Sequence, residues 1–191
     1  MTYFELWKWG EKRLADAGIA EASLDARYLL LEAFEMDMAH FLLKEQEQVP
    51  ATEGRTREYS DAIQARAARV PLQYLTGKQD FMGLTFHVDE RVLIPRQDTE
   101  TLVELVLKEN TDKKARILDL CTGSGCIAVS LAVLGGYRKV DAVDISEDAL
   151  AAAEENGTRL GGKVRFLKSD LFSALDPEKK YDIIASNPPY I

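Results

Sequence analysis

The sequence predicts an α/β fold in which a small N-terminal helical bundle is followed by part of a doubly wound parallel sheet. Up to about residue 75, apolar residues recur at three- and four-residue steps, as they do on one face of a helix. From residue 115 onward, short apolar runs alternate with helical segments, which is typical of a parallel sheet. A loop with two glycines follows the first of these runs, where such folds bind ligands.

The first 75 residues are expected to form four helices. Thr2 and Glu5 make a capping-box pattern at the start of the first helix, which ends at Gly18. Ser23 is expected to cap the second helix. The apolar face of that helix would carry Leu24, Tyr28, Leu31 and Phe34.

Asp37 is expected to cap a short third helix that reaches Leu43. Thr52 is expected to open a longer fourth helix that ends at Ala68, before Pro71. Four aromatic residues recur at helical spacing, and we interpret them as the core of the bundle rather than as a binding surface. They are Trp7, Tyr28, Phe34 and Phe41.

A β-hairpin and a further helix are predicted to follow the bundle. Apolar residues on both sides of Gly83 are spaced as in two short strands joined by a turn. They are Phe81, Leu84, Phe86 and Val88. Asp98 or Thr99 is then expected to cap a helix that reaches Leu107.

The remaining residues predict a parallel sheet with helices on both faces. The expected strands are 116–120, 140–145, 164–167 and 181–186, and the expected helices are 127–134 and 147–160. These patterns divide the chain into a helical domain at 1–75, a hairpin linker at 76–97 and a partial sheet domain at 98–191.

The glycine loop predicts a site for a nucleoside-containing cofactor. Gly123 and Gly125 allow a tight turn and a close approach of the backbone to a ligand. Asp144 follows at close to the ~20-residue spacing of an acidic residue that meets ribose hydroxyls. The loop also fits a dinucleotide pattern, so an oxidoreductase is an alternative. Asp119, at the strand end, favours a cofactor with amino groups, because a pyrophosphate gains nothing from a neighbouring carboxylate.

Asn187, Pro188, Pro189 and Tyr190 follow the last predicted strand, beside the glycine loop. An amide or aromatic amine nitrogen is a poor nucleophile, and a site can help by accepting both of its N–H hydrogens. The Asn187 oxygen and the Pro188 carbonyl would be those acceptors, held in place by two rigid prolines. The Tyr190 ring would offer a flat face to a planar acceptor. These four residues are the predicted catalytic loop.

Composition weighs against several other classes of protein. The net charge of −8 weighs against a nucleic-acid-binding surface. There is neither a run of ~18 apolar residues nor a secretory signal, so a cytoplasmic protein without a membrane span is expected. A zinc site needs about four convergent ligands, and none is predicted from two cysteines and two histidines.

The chain resembles the HemK-like release factor glutamine methyltransferases, which are S-adenosylmethionine-dependent enzymes of the Rossmann-like class I type. The resemblance spans nearly the whole chain and includes the helical N-terminal segment. The matching segments are 71–77, 94–100, 119–128, 169–172 and 187–190. It implies methyl transfer to the glutamine side chain of a Gly-Gly-Gln motif in peptide chain release factors. It also implies that the helical domain docks the release factor.

The resemblance also implies individual roles in binding S-adenosylmethionine. Asp170 and Leu171 would lie near the adenine, and Asn187 would contact both the cofactor and the glutamine amide. The remaining implied cofactor contacts come from the glycine loop and the strand after it. They are Asp119, Cys121, Thr122, Gly123, Ser124, Gly125 and Asp144.

The chain departs from the pattern of this family at three positions and at its end. Cys121 replaces a frequent glycine, which restricts its backbone angles. Gln97 replaces a frequent proline, and Leu171 replaces a tryptophan found in some relatives. Relatives continue beyond the Asn-Pro-Pro-Tyr loop, so the chain is expected to be truncated and weakly active or inactive.

Two alternatives to a release factor methyltransferase stay open besides the oxidoreductase. A DNA or RNA adenine N6-methyltransferase uses the same loop on a flipped base. A non-enzymatic fragment would retain only the binding of a partner by residues 1–75.

Overall fold

A computed structural model describes residues 1–50 and 54–188 of the chain. The chain divides into two compact units, Met1–Thr76 and Gly77–Ile191. Within the described ranges, no helix combines the length and the apolar character that crossing a membrane requires.

The first unit is helical, as predicted. Its described part forms α1 (Tyr3–Asp16), α2 (Ala22–Ala33), α3 (Met38–Lys44), α4 (Arg55–Ala67) and α5 (Leu72–Thr76). The capping box of α1 is confirmed, because the Glu5 backbone N–H donates to Thr2 Oγ1 at 3.1 Å and Thr2 N–H donates to Glu5 Oε2 at 2.8 Å. Asp37 caps α3 as expected, accepting from the His40 N–H at 2.7 Å.

Two of the predicted helix starts were wrong or lie outside the described residues. Ser23 lies inside α2, which begins at Ala22 and has no side-chain cap. The fourth helix begins at Arg55, and Thr52 lies outside the described part of the chain. Propensity patterns locate a helix well but its first residue poorly, because several polar residues compete for each cap.

The predicted apolar face of α2 was partly wrong. Leu24 and Tyr28 are 38% and 48% exposed, while the buried face carries Ala26, Leu29 and Leu30. Both sets recur at helical spacing, so the sequence alone could not tell which one meets α1 and α4. Of the four aromatic residues expected in the bundle core, Phe34 and Phe41 are buried there and Trp7 packs against it, whereas Tyr28 is exposed.

The second unit contains a hairpin, three helices in its described part, and a sheet. Its elements are β1 (Lys78–Phe81), β2 (Leu84–His87), α6 (Gln97–Glu109), β3 (Arg116–Leu120), α7 (Cys126–Gly135), β4 (Lys139–Asp144), α8 (Glu147–Leu160), β5 (Val164–Lys168) and β6 (Ile183–Ser186). The hairpin strands are antiparallel and joined at Met82 and Gly83, which both have positive φ. Neither Asp98 nor Thr99 caps α6, since the helix begins at Gln97 and both residues lie within it.

The sheet confirms the predicted parallel, Rossmann-like fold. Its strand order is β5-β4-β3-β6, and each neighbouring pair is parallel. The first strand, β3, therefore lies between β4 and β6, which makes the β3–β6 boundary the switch point where such sheets bind ligands.

The described helices cover one face of this sheet. The Ala128 N–H of α7 donates to Asp119 at 3.2 Å, and Gly157 of α8 lies against Phe166, whose strand position shares that face. On the opposite face, a cluster of Leu118, Leu120, Val143, Leu167, Leu175 and Tyr181 is covered by the turn-rich segment 169–182. We expected helices on both faces of the sheet. Within the described residues, helices cover only one face.

Gly10 of α1 is the point of closest approach to α4. A Cβ at this position would lie 2.0 Å from the Tyr59 Oη and 2.9 Å from its Cζ. Tyr59 is fully buried, and its hydroxyl has no hydrogen-bond partner among the described residues. Burial also raises the pKa of Tyr59. Gly10 is therefore required by packing.

We expect Gly10→Ala to lower the free energy of unfolding by up to about 2 kcal/mol, because the ~1–3 kcal/mol cost of overpacking is only partly offset by the ~1 kcal/mol that alanine gains in a helix. Urea denaturation of the chain measures this. The double variant Gly10→Ala/Tyr59→Phe lacks the oxygen at 2.0 Å and should recover much of the loss. A Gly10→Ala chain as stable as the wild type would contradict this account of the packing.

Candidate functional site

A cavity of about 360 Å³ opens at the edge of the sheet where β3, β4 and β6 end. It is lined by the loop after β3, by the end of β4, by Asn187 after β6, and by the stretch between the hairpin and α6. The polar lining residues are Arg91, Arg96, Thr99, Thr122, Ser124, Asp144, Ser146 and Asn187. The volume falls within the ~300–1,000 Å³ range of small-molecule sites.

Asp144 anchors the glycine loop from the end of β4. Its Oδ2 accepts the Gly123 N–H at 2.9 Å, and its Oδ1 accepts the Ser146 N–H at 3.0 Å. Each carboxylate oxygen can accept a second hydrogen bond, so both retain capacity toward the cavity that Asp144 lines. Ser146, rather than Asp144, caps α8 by accepting from the Ala149 N–H. Asp144 is therefore not the cap of α8.

The two glycines of the loop serve different purposes. Gly123 has φ +54° and lines the cavity, and a Cβ there would meet no protein atom within 4 Å. Gly125 has φ +79°, and a Cβ there would lie 3.0 Å from Ala153 of α8. Gly125 is absent from the cavity lining, so its small size serves the packing of the loop on α8 rather than the approach of a ligand.

Cys121, which stands where many relatives have glycine, adopts a backbone conformation that favours glycine. Its φ is +59°, in the left-handed region that costs a non-glycine residue of order 1 kcal/mol or more. Burial raises the pKa of its thiol, and the charges of Asp144, Asp119 and Asp170 raise it further. Of these three carboxyl groups, Asp144 is the one that lines the cavity. Cys121 and Cys126 are both free thiols.

Asp119 lies behind the loop rather than in the cavity. It is fully buried, and its Oδ2 accepts the Thr122 hydroxyl at 2.6 Å and the Ala128 N–H at 3.2 Å. Its Oδ1 has no partner among the described residues. Burial raises the pKa of Asp119 to about 7, although the two hydrogen bonds oppose the rise. Asp119 does not line the cavity, and Thr122, whose hydroxyl it accepts, lies between the two. A direct contact of Asp119 with a cofactor stays a prediction.

Asn187 is fixed by a hydrogen bond from the opposite wall of the cavity. Its Nδ2 donates to Thr99 Oγ1 at 2.8 Å, and Thr99 is buried in the first turn of α6. The amide nitrogen is thereby engaged, which leaves the Oδ1 as the free acceptor. Pro188 is exposed, while Pro189 and Tyr190 lie outside the described residues.

Asp170 and Leu171 follow β5 at the same sheet edge but do not line the cavity. Both are exposed, and Leu171 has φ +48°. Ser169 holds this turn, because its Oγ donates to the Leu171 carbonyl at 2.8 Å and its N–H donates to the Asp144 carbonyl at 2.9 Å. The turn is therefore tied to the end of β4, next to the cavity.

Two features of the site were missed by sequence reasoning. Asn156 of α8 is fully buried; its Nδ2 donates to the carbonyls of His87 and Ser124, and its Oδ1 accepts the His87 N–H at 2.8 Å. A polar residue on the apolar side of a predicted helix was the available signal. The stretch 91–96 also lines the cavity. Arg91 there is held by Asp89 and Glu155, which raise its pKa.

Two protein families match this chain, one in each of its two units. Residues 5–77 match the model of the PrmC N-terminal domain, and residues 97–191 match the methyltransferase small domain. The release factor glutamine methyltransferase of Koribacter versatilis is 41% identical over all of this chain, which covers 68% of that protein. The enzyme of the same name from Streptococcus pneumoniae is also 41% identical, again over the whole chain and 67% of its own length.

One solved structure shares the fold of the sheet. It is the 16S rRNA N2 G1207 methyltransferase of T. thermophilus in complex with AdoMet and guanosine. The TM-score is 0.50 at 24% identity, over 60% of this chain and 32% of the other.

The raised pKa of Asp119 predicts a pH-dependent stability. The folded chain holds this proton up to about pH 7, whereas the unfolded chain releases it near 3.8, the ordinary pKa of an aspartate. Stability conferred by the protonated form is therefore present at pH 4 and is lost as the pH rises toward 7. The loss is at most ~4 kcal/mol, from 1.36 kcal/mol per unit.

Asp119→Asn removes this titration, so its stability relative to the wild type should improve between pH 5 and pH 8. Urea denaturation at several pH values measures the difference. Asp148→Asn, which changes an exposed carboxylate at the start of α8, is the matched control. Parallel pH profiles for the wild type and Asp119→Asn would show that Asp119 is ionised throughout.

Proposed function

This chain belongs to the family of release factor glutamine methyltransferases, and we propose that it transfers a methyl group from S-adenosylmethionine to a side-chain amide nitrogen. The proposed acceptor is the glutamine of the Gly-Gly-Gln motif in peptide chain release factors. The observation that carries the proposal is the position of Asn187, at the switch point beside the glycine loop, with its nitrogen engaged by Thr99. Because this substrate acts on the ribosome, the proposed place of action is the cytoplasm.

The residues around the cavity fit S-adenosylmethionine in shape and charge. Thr122, Gly123 and Ser124 would form the floor under the ligand, and Cys121 would lie at its edge. Asp144 has acceptor capacity left for the two ribose hydroxyls. The carboxylates near Cys121 complement a ligand that carries sulfonium and ammonium charges, whereas they would repel the pyrophosphate of a dinucleotide.

Two of the predicted cofactor contacts, Asp119 and Gly125, take supporting roles in this proposal, and two others keep their expected roles. Asp119 and Gly125 would support the loop from behind, through Thr122 and Ala153 respectively. Asp170 and Leu171 would meet the adenine from the turn after β5. The Ser169 contact with β4 supports this, because it holds the turn beside the cavity.

The proposed chemistry needs orientation more than acid–base catalysis. Bound S-adenosylmethionine would supply an electrophilic methyl group on its sulfonium. The Asn187 Oδ1 and the Pro188 carbonyl would accept the two N–H groups of the glutamine amide and aim its lone pair at the methyl group. Tyr190 would stack on the amide plane, and Pro189 would fix the loop.

Thr99 would act as a positioning residue for this step. An asparagine side chain can point either its oxygen or its nitrogen toward the substrate, and only the oxygen accepts a hydrogen bond. The bond from Nδ2 to the buried Thr99 hydroxyl selects the orientation in which the oxygen is available. The helical unit, Met1–Thr76, is the proposed docking domain for the release factor, supported by the match of residues 5–77 to the family's N-terminal domain.

The cofactor assignment predicts saturable binding of S-adenosylmethionine in a calorimetric titration, with NADH as the control ligand. Asp144→Ala should weaken the binding about 10- to 100-fold, since hydrogen bonds to a charged group contribute ~1.5–3 kcal/mol. Asp148→Ala removes an exposed carboxylate outside the cavity and should leave the affinity unchanged. Binding of NADH in place of S-adenosylmethionine would refute the assignment.

The positioning role predicts that Thr99→Val lowers kcat for release factor methylation about tenfold, with no change in S-adenosylmethionine affinity. Valine keeps the shape of threonine but cannot accept from Asn187, so the amide loses its preferred orientation. Thr99→Ser retains the hydroxyl and should keep most of the activity. Mass spectrometry of the modified glutamine measures turnover, and equal kcat for Thr99→Val and wild type would exclude the role.

A further inference from the structure

A second cavity, of about 590 Å³, lies at the sheet edge opposite the glycine loop, where β3, β4 and β5 begin. Six cationic side chains line it: Arg116, Arg138, Lys139, Lys163, Arg165 and Lys179. Asp141 is the only acidic residue among those that line this cavity in the described part of the chain. Such a concentration of positive charge stands out in a chain with a net charge of −8.

Asp141 neutralises only part of this charge. Its carboxylate accepts from Arg165 Nη2 at 2.8 Å and also from Lys179 and Tyr181. Burial would raise the pKa of Asp141, but its hydrogen bonds with Arg165, Lys179 and Tyr181 lower it to about 2. The carboxylate is therefore ionised at neutral pH and is already shared by two cations.

The other four cations have exposed side chains without a partner. Within residues 1–50 and 54–188, no hydrogen bond or ion pair engages the side chains of Arg116, Arg138, Lys139 or Lys163. The neighbouring Asp182 accepts the backbone N–H of Arg116 at 2.7 Å rather than its guanidinium. Four positive charges thus remain uncompensated around one concave surface.

The negative ends of helix dipoles neutralise only a fraction of these positive charges. Helices α7 and α8 end at this edge, with Gly136 and Gly161 at their C-caps. A helix C-terminus carries about half a negative charge, so the two together offset about one of the four cations. The remaining cations repel one another, and a bound anion would relieve that repulsion.

We propose that this cavity binds a small anion that carries several phosphate groups, such as a nucleoside triphosphate or inorganic tripolyphosphate. The four unpartnered cations match the ~4 negative charges of a triphosphate, and arginine forks and lysine ammonium groups are both suited to phosphate oxygens. The cavity volume is within the range of small-molecule sites.

A long nucleic acid fits this cavity less well than a small anion. Outside the cavity, the acidic surface of a chain with 32 acidic and 24 basic residues would repel an extended polyanion. A small ligand instead lies inside the cavity, within the ~8 Å over which charges act at physiological ionic strength. The site lies at the opposite sheet edge from the glycine loop, so it does not depend on the proposed methyl transfer.

Calorimetric titration of the chain with inorganic tripolyphosphate tests the proposal. We expect saturable binding at one site that weakens as salt is raised, and at least a tenfold weakening in Lys139→Gln/Lys163→Gln. The matched control is Lys44→Gln/Lys108→Gln, which changes two exposed lysines elsewhere and should leave the affinity unchanged. A parallel titration with S-adenosylmethionine should give the same result in both variants and checks that they are folded.

Titrations with ATP and with an oligouridylate distinguish a nucleotide, an inorganic polyphosphate and an RNA as the ligand. ATP that competes with tripolyphosphate would identify a nucleotide site, and ATP that does not compete would restrict the site to inorganic polyphosphate. No saturable binding of tripolyphosphate, or equal weakening in the two lysine variants, would overturn the proposal. An oligouridylate that binds at least tenfold more tightly than tripolyphosphate would also overturn it, in favour of RNA.

Discussion

The geometry of the glycine loop depends on the hydrogen bonds made by the side-chain amide of Asn156. It bonds to both backbone groups of His87, at the end of the hairpin, and to the Ser124 carbonyl in the loop. The bond to the Ser124 carbonyl is buried, so that carbonyl would be left unsatisfied without Asn156, at a cost of ~1–3 kcal/mol. One side chain on α8 thus fixes the hairpin and the loop relative to each other, while Asp144 holds the loop from β4.

The two ends of the parallel sheet have opposite electrostatic character. At the carboxyl ends of the strands, Asp119, Asp144 and Asp170 all act on the Cys121 thiol. At the amino ends, cationic side chains surround Asp141. Helix dipoles alone would give the reverse polarity, because helix N-termini lie at the carboxyl ends of the strands. Side-chain charges therefore oppose the helix dipoles at both ends of the sheet, carboxylates at the positive helix N-termini and cations at the negative helix C-termini.

The sequence predicted the elements well where a local pattern determines them. The bounds of β3 and α8 are as expected, since a short apolar run and a capped amphipathic segment each have one interpretation. It failed where the answer depends on a distant partner. The burial of Asp119 follows from α7 closing over it, the packing of Gly125 follows from Ala153, and the hydrogen bonds of Asn156 reach residues far away in sequence. Period and spacing carry no information on such contacts.

The same dependence on distant partners explains how Asn187 is positioned. Its loop follows β6, yet its amide is oriented by Thr99 of α6, a helix that precedes the sheet in the chain. That helix is in turn tied to the hairpin, because Glu100 accepts the Met82 N–H at 2.6 Å. Asn156 connects the same hairpin to the glycine loop. The loop and the asparagine are therefore both tied to the hairpin, so hydrogen bonds to α6 and α8 hold them in place, rather than the exposed segment around Pro188.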